Sequence, residues 1–217
     1  MSQILTLVAI SNLQTLEMVL FSTLFSMVIG FPLGVLLYST NSMGITPRPI
    51  LNQVLSRIVN VLRSFPFIIL MILLFPLSRL ILGTSIGTTA TIIPLSIAAA
   101  PFVARLVETA LLEVDPGMIQ AARAMGSTNS QIIYKVLIPE SMPSLVSGIT
   151  LTIINLIGYS AMAGTIGGGG LGDLAIRYGY QRFRPDVMAA SVVVIIVMVE
   201  VIQFIGTRIA NRMLANR

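Results

Sequence analysis

The chain has 217 residues, 55% hydrophobic and only 10% charged, against about a quarter charged in soluble domains, so water is not its main solvent. It holds no Cys and no His, which excludes disulfides, thiol nucleophiles, imidazole bases and the usual zinc ligands. The 13 Lys+Arg against 8 Asp+Glu give a net charge of +5, an excess that in so apolar a chain orients spans rather than binding nucleic acid. The N-terminal segment has neither a basic start nor a small-residue cleavage pattern, so it reads as a retained anchor.

A helix needs about 20 apolar residues to cross the hydrocarbon core. Five stretches qualify, at 13–38, 58–82, 90–112, 144–166 and 187–209, which predicts an all-α membrane protein with one transmembrane domain over 1–217 and no internal repeat. In the first span Glu17 falls near one end, at an interface. In the third, Arg105 and Glu108 stand at i, i+3, a local pair whose long side chains reach for water. Five spans put the termini on opposite sides. With the C-terminus inside, the cytoplasm holds Arg48, Arg57, Arg63, Arg105, Arg123, Lys135, Arg208, Arg212 and Arg217, and the outside keeps Arg79, Arg177, Arg182 and Arg184. Nine against four predicts N-out, C-in.

The loop at 115–140 then faces the cytoplasm. Asp115 can cap a helix with Pro116 at its first position, running over 116–125, and Gly126 suits the left-handed residue after it. Thr128 and Gln131 have capping-box spacing for a second helix, which Pro139 stops. Met118, Ala121, Ala122 and Met125 fall at i, i+3, i+4, i+7, one apolar stripe. It either folds onto its own bundle or seats a partner, since Met adapts to a groove and Ala admits close backbones.

Span four runs into Gly167, Gly168, Gly169 and Gly170, with Gly172 beyond. Each Gly costs a helix about 1 kcal/mol relative to Ala, so the span must unravel there, as an outer gate or a plain loop. Gly158, Ser160, Ala161, Ala163 and Gly164 make a close-packing small-residue stretch. Met162 is its bulky exception, a plug near a two-fold axis or ordinary core. The string "GLGD" matches intramembrane aspartyl proteases, but that chemistry needs two aspartates sharing a proton. The other two, Asp115 and Asp186, are across the membrane and off the membrane helices. No Gly-Lys-Ser/Thr follows the glycines, so this is no phosphate loop. "IRYGYQRFRPD" (176–186) mixes residue types common at protein contacts and in aromatic belts. Glu200 sits near the middle of span five, where an acid is either functional or held by a structural hydrogen bond.

The spacing Ala121-Ala122, three residues, Gly126, nine residues, Val136-x-Ile138-Pro139 resembles the cytoplasmic "EAA" loop of binding-protein-dependent ABC importer permeases. That pattern reads Glu-Ala-Ala, three residues, Gly, nine residues, Ile-x-Leu-Pro. Gln120 stands where the family has Glu, which removes one charge from any contact with an ATPase. "RSFPFIIL" (63–70), "GTSIG" (83–87), "AAAPFVARLVETALLEV" (98–114) and "GYSAMAGTIGGGGLGDLAIRYGYQRF" (158–183) resemble the methionine-importer permeases in particular, from about residue 13 onward. The resemblance implies a multi-pass subunit of a bacterial inner membrane, paired with a second copy, two ATPase subunits and an extracytoplasmic binding protein. It implies import of L-methionine, often also D-methionine, with ATP and Mg held by the ATPase and no cofactor in this chain. It implies a coupling site of Met118, Gln120, Ala121, Ala122, Met125, Gly126 and Pro139. The pathway then lies between two copies, since five helices hardly surround an amino acid, with Ser160, Met162 and Gly167 to Gly170 at the gate. Another amino acid as cargo, an ion-driven carrier and a membrane enzyme are the alternatives. The carrier wants more intramembrane acids and the enzyme a nucleophile–base pair.

Overall fold

A computed structural model describes residues 2–215. Arg217, counted in the charge asymmetry, lies outside them. The described residues form helices and no strand: α1 (Ser2–Thr40), α2 (Pro49–Ser64), α3 (Phe67–Leu82), α4 (Thr88–Leu112), α5 (Pro116–Ala124), α6 (Asn129–Ile132), α7 (Ile138–Gly164), α8 (Gly170–Leu174) and α9 (Pro185–Ala215). Four segments are long and apolar enough to cross a membrane singly, namely Ile4–Thr40, Thr88–Leu112, Asn129–Gly164 and Pro185–Ala215. The fifth expected span, 58–82, is not one helix. It is the pair α2 and α3, bent by 103°. Pro66 is the cause: it has no N–H to donate and drives Phe65 into extended backbone (ψ 131°), so the ladder cannot continue.

The first span is also longer than expected. The 39 residues of α1 rise about 58 Å at 1.5 Å each, well beyond the hydrocarbon core. Its axis approaches α4 closely through a Gly-x-x-x-Gly pair that the sequence reading passed over. A Cβ on Gly30 would lie 2.6 Å from the Ala100 carbonyl oxygen, and one on Gly34 would lie 2.5 Å from that of Ala104. Small residues on both helices thus let the backbones touch, which is how helices associate where lipid cancels the hydrophobic drive. α4 is the most enclosed of the long spans, with Leu95, Val103, Ala104, Val107 and Leu111 fully buried. Met18, Leu95, Ala99, Leu156 and Ile157 join α1, α4 and α7 at one end. Tyr38, Val107, Leu111, Ala122, Ile132, Leu137 and Leu145 join them at the other.

Pro139 does not stop the helix begun at Asn129. The chain passes from α6 through a π turn (Ile133–Leu137) into α7, continuous over Asn129–Gly164. The wider turn rearranges the hydrogen-bond ladder just ahead of the proline, so the missing donor interrupts nothing. α9 buries only one face, through Val187, Ser191, Gly206 and Ala210.

Candidate functional site

α5 is fixed at both ends as its residues dictate. Asp115 Oδ1 accepts from Gly117 N–H (2.7 Å) and Pro116 occupies the first position. At the far end Gly126 takes φ +79°. Ser127 N–H donates to Ala122 O (3.1 Å) and Gly126 N–H to Arg123 O (2.9 Å), the double bond pattern of a left-handed glycine cap. Thr128 and Gln131 close a reciprocal capping box. The apolar stripe, however, divides. Ala122 is 3% exposed, packed into the chain's own core with Ile132 and Ile119. Met118, Gln120, Ala121 and Met125 are exposed, Met125 to 79%. Met118, Ala121 and Met125 keep the i, i+3, i+7 spacing of one open face. Arg123 donates to the Ile45 carbonyl (3.0 Å) and straps α5 to the 41–48 loop.

The second open surface runs along α7. Ser147, Leu151, Asn155, Gly158, Met162 and Thr165 are all exposed, at steps of three or four residues, so they form one line down the helix. The Asn155 carboxamide makes no hydrogen bond with any described residue. A carboxamide in the middle of a span is unsuited to lipid. Met162 lies on this line, half exposed. Ser160 does not: it is 2% exposed, and its hydroxyl donates to the Ile157 carbonyl (2.7 Å), toward the core. Beside the line, Tyr159 stacks on Phe67 at 4.5 Å. Toward the α5 end a cavity of about 570 Å³ is walled by Arg105, Leu106, Glu113, Ser144, Ser147 and Leu151 among others. Arg105 pairs with Glu108 (2.6 Å) and reaches the Ser56 carbonyl and Asn60 Oδ1 (both 3.2 Å). Glu113 accepts from the Ser144 hydroxyl (2.5 Å).

At the opposite end the glycine run is shaped, not slack. Gly167, Gly169 and Gly170 have φ of +90°, +78° and +78°, a region closed to most side chains. Gly87 N–H donates to Gly167 O (3.0 Å) and Gly168 N–H to Ala163 O (3.0 Å). Gln14 Oε1 accepts from Gly170 N–H (3.0 Å), and Thr15 Oγ1 accepts from Leu171 N–H (2.9 Å). The sequence reading missed Gln14 and Thr15, two polar residues at i, i+1 in an apolar span. Beyond the loop, α8 continues as a π turn (Ala175–Tyr180). Asp173 pairs with Arg177, Arg182 lies 4.5 Å over the Tyr178 ring, and Phe183 and Tyr180 project, 86% and 68% exposed. Arg184 pairs with Asp186 (2.7 Å), and that hydrogen bond pushes its guanidinium above its already high ordinary value.

Glu200 is exposed on the open face of α9 and pairs with no described residue. Along the same flank Gln203 donates to Thr207 (2.9 Å). Among the described residues no group of three His, Cys, Asp or Glu is placed to hold a metal.

The chain is 51% identical to a probable D-methionine transport system permease protein, MetI, of Vibrio cholerae, over 92% of this chain and 88% of that one. It is 53% identical to the D-methionine transport system permease protein MetI of Escherichia coli K12, over 70% of each. A solved structure of the MetNI methionine ABC transporter in inward-facing conformations superposes with a TM-score of 0.96 at 46% identity, over 98% of this chain and 99% of that one. An amino acid ABC transporter crystallised with histidines shares the fold, with a TM-score of 0.74 at 20% identity. Residues 30–215 match the model of one family, and the chain belongs to it: the binding-protein-dependent transport system inner membrane components.

Proposed function

We propose that the chain is the membrane subunit of an ATP-driven importer for methionine, working as two copies with two ATPase subunits and an extracytoplasmic binding protein. The N-terminus lies outside and the C-terminus inside, so α5 meets the cytoplasmic ATPase. The open face of α5 carries this reading: Met118, Ala121 and Met125 present an adaptable apolar stripe to water, on a helix too well capped and strapped to move alone. Seated in a groove of the ATPase, α5 passes motion through Ala122 into the core shared by α1, α4 and α7. When ATP draws the ATPases together, the bundles rock as rigid bodies and the α7 faces of the two copies part toward the outside. Gln120 makes its contact on the ATPase without charge. Methionine as cargo is supported by the likeness to the D-methionine permeases and the methionine transporter above. Another amino acid would leave the mechanics unchanged, and uptake of labelled amino acids separates the two. Met125→Asp tests the coupling: it should insert and fold, since the side chain is 79% exposed, yet lose the ATPase on purification. Normal co-purification and uptake in that variant would refute it.

A further inference from the structure

A second cavity, of about 270 Å³, lies beside the break between α2 and α3, with Arg63, Phe65, Phe67, Ala98, Phe102 and Tyr159 in its wall. Ala98 and Phe102 flank the middle of the 25-residue α4, so the cavity opens near mid-depth of the bundle. Arg63, which the sequence reading counted with the cytoplasmic residues, is exposed and stands where this cavity meets the larger one toward the α5 end. Arg63 and Phe102 also line the 570 Å³ cavity, so the two spaces adjoin. Arg63 makes no hydrogen bond or ion pair with any described residue. The two acids near the C-terminal end of α4 are engaged elsewhere: Glu108 holds Arg105, and Glu113 takes the Ser144 hydroxyl. An unpaired cation within a membrane span, walling two adjoining cavities, marks a functional site by default. Broken helices at mid-depth are where membrane carriers hold their cargo.

The chemistry of the wall selects the occupant. A guanidinium fork matches a carboxylate bidentately. The stacked Phe67 and Tyr159 rings, with Phe65 and Phe102, suit an apolar or thioether side chain, since sulfur packs well against ring edges. The ring faces of the wall offer an ammonium group its partner. A second positive charge on the cargo would meet Arg63 and Arg105 together.

We propose that Arg63 and the aromatic wall at the α2–α3 break form an intramembrane subsite for a zwitterionic amino acid with an apolar or thioether side chain, Arg63 holding its α-carboxylate. The subsite rests on the importer reading above and says where the cargo is held in transit. Ala98→Cys puts one thiol in this cavity, in a chain that otherwise has none. In the purified complex of permease and ATPase, L-methionine should protect that thiol from a maleimide, and methionine methyl ester, whose carboxylate charge is gone, should not. Adding Arg63→Gln should raise the methionine concentration for half-protection roughly tenfold or more, the scale of a lost charge-assisted hydrogen bond. Arg63→Lys should recover part of it. Leu62→Cys, on the same cavity, is the second probe should the first variant fail to fold. Uptake of a panel of labelled amino acids by the unaltered complex tests the importer reading separately: no uptake of any of them ends both readings. Uptake of methionine with no protection at either thiol, equal protection by the ester, or equal protection in the Arg63→Gln variant overturns the subsite alone.

Discussion

Gly30→Ala is a sharp test of how α1 sits on α4. The added Cβ would stand 2.6 Å from the Ala100 carbonyl oxygen and 2.7 Å from Val103 Cβ, where contacts between such atoms settle near 3.5–4.0 Å. The helices must therefore separate by roughly 1 Å along a contact that both sides buried. Overpacking of this kind costs about 1–3 kcal/mol, and a backbone carbonyl that cannot rotate away puts this site at the upper end. Alanine's better helix propensity returns about 1 kcal/mol. The net loss is about 2 kcal/mol, a drop of about 4–8 °C in melting midpoint for a chain of this size. Gly158→Ala is the control, because nothing lies within 4 Å of a Cβ there; it should leave the midpoint unchanged or raise it. Size-exclusion chromatography of the detergent-purified protein after graded heating reads both. A Gly30→Ala midpoint at or above that of the parent, with Gly158→Ala behaving as expected, would show that α1 and α4 do not touch at Gly30.

A reporter active only in the cytoplasm should be active when fused after Arg217 and silent in the 176–183 segment; the reverse pattern would invert the orientation. Met162→Cys, half exposed on the α7 line, should crosslink to its copy in the closed state and less when ATP opens the outer side, and the absence of native Cys keeps the background clean. A folded variant that never crosslinks in any nucleotide state would remove Met162 from the pathway. Ala122→Asp, in contrast to Met125→Asp, should fail to accumulate as folded protein, because a carboxylate there enters the core; comparing the folded yields of the two variants checks this.

Hydropathy alone locates four of the five spans, and residue types at α5 give its caps, because both signals are local. The break in span two was present as Pro66 inside "RSFPFIIL", but averaged hydropathy runs straight across a proline flanked by apolar residues. Pro139 misled in the opposite sense: the rule that proline ends a helix holds for a regular ladder, and a π turn ahead of it is not legible in residue types. The stripe on α5 was found but not its direction, since i, i+3, i+4, i+7 spacing is the same whether Ala122 turns inward or toward a partner. Asn155 and Arg63 were invisible as site residues because each gains its meaning from what surrounds it: an exposed helix face for one, two cavities and no counterion for the other. Gln14 and Thr15 matter through loop amides 156 residues away, a distance no periodicity spans.

The contact of Gly30 and Gly34 with Ala100 and Ala104 also sets a timetable for biogenesis. α1 leaves the ribosome before α4, and its partner surface lies 70 residues later. At about 5–20 residues per second, α1 waits roughly 4–14 s in the bilayer before α4 arrives. It is equipped for the interval: Thr15, Ser26, Ser39 and Thr40 each return their hydroxyl to a carbonyl of their own helix, to Ser11, Thr23, Val35 and Leu36. Ser22 is different, for its hydroxyl reaches the Ile92 carbonyl of α4. A nascent chain halted before α4 thus holds α1 with four hydroxyls already satisfied, while Ser22 and Gln14 wait for partners that only later segments bring.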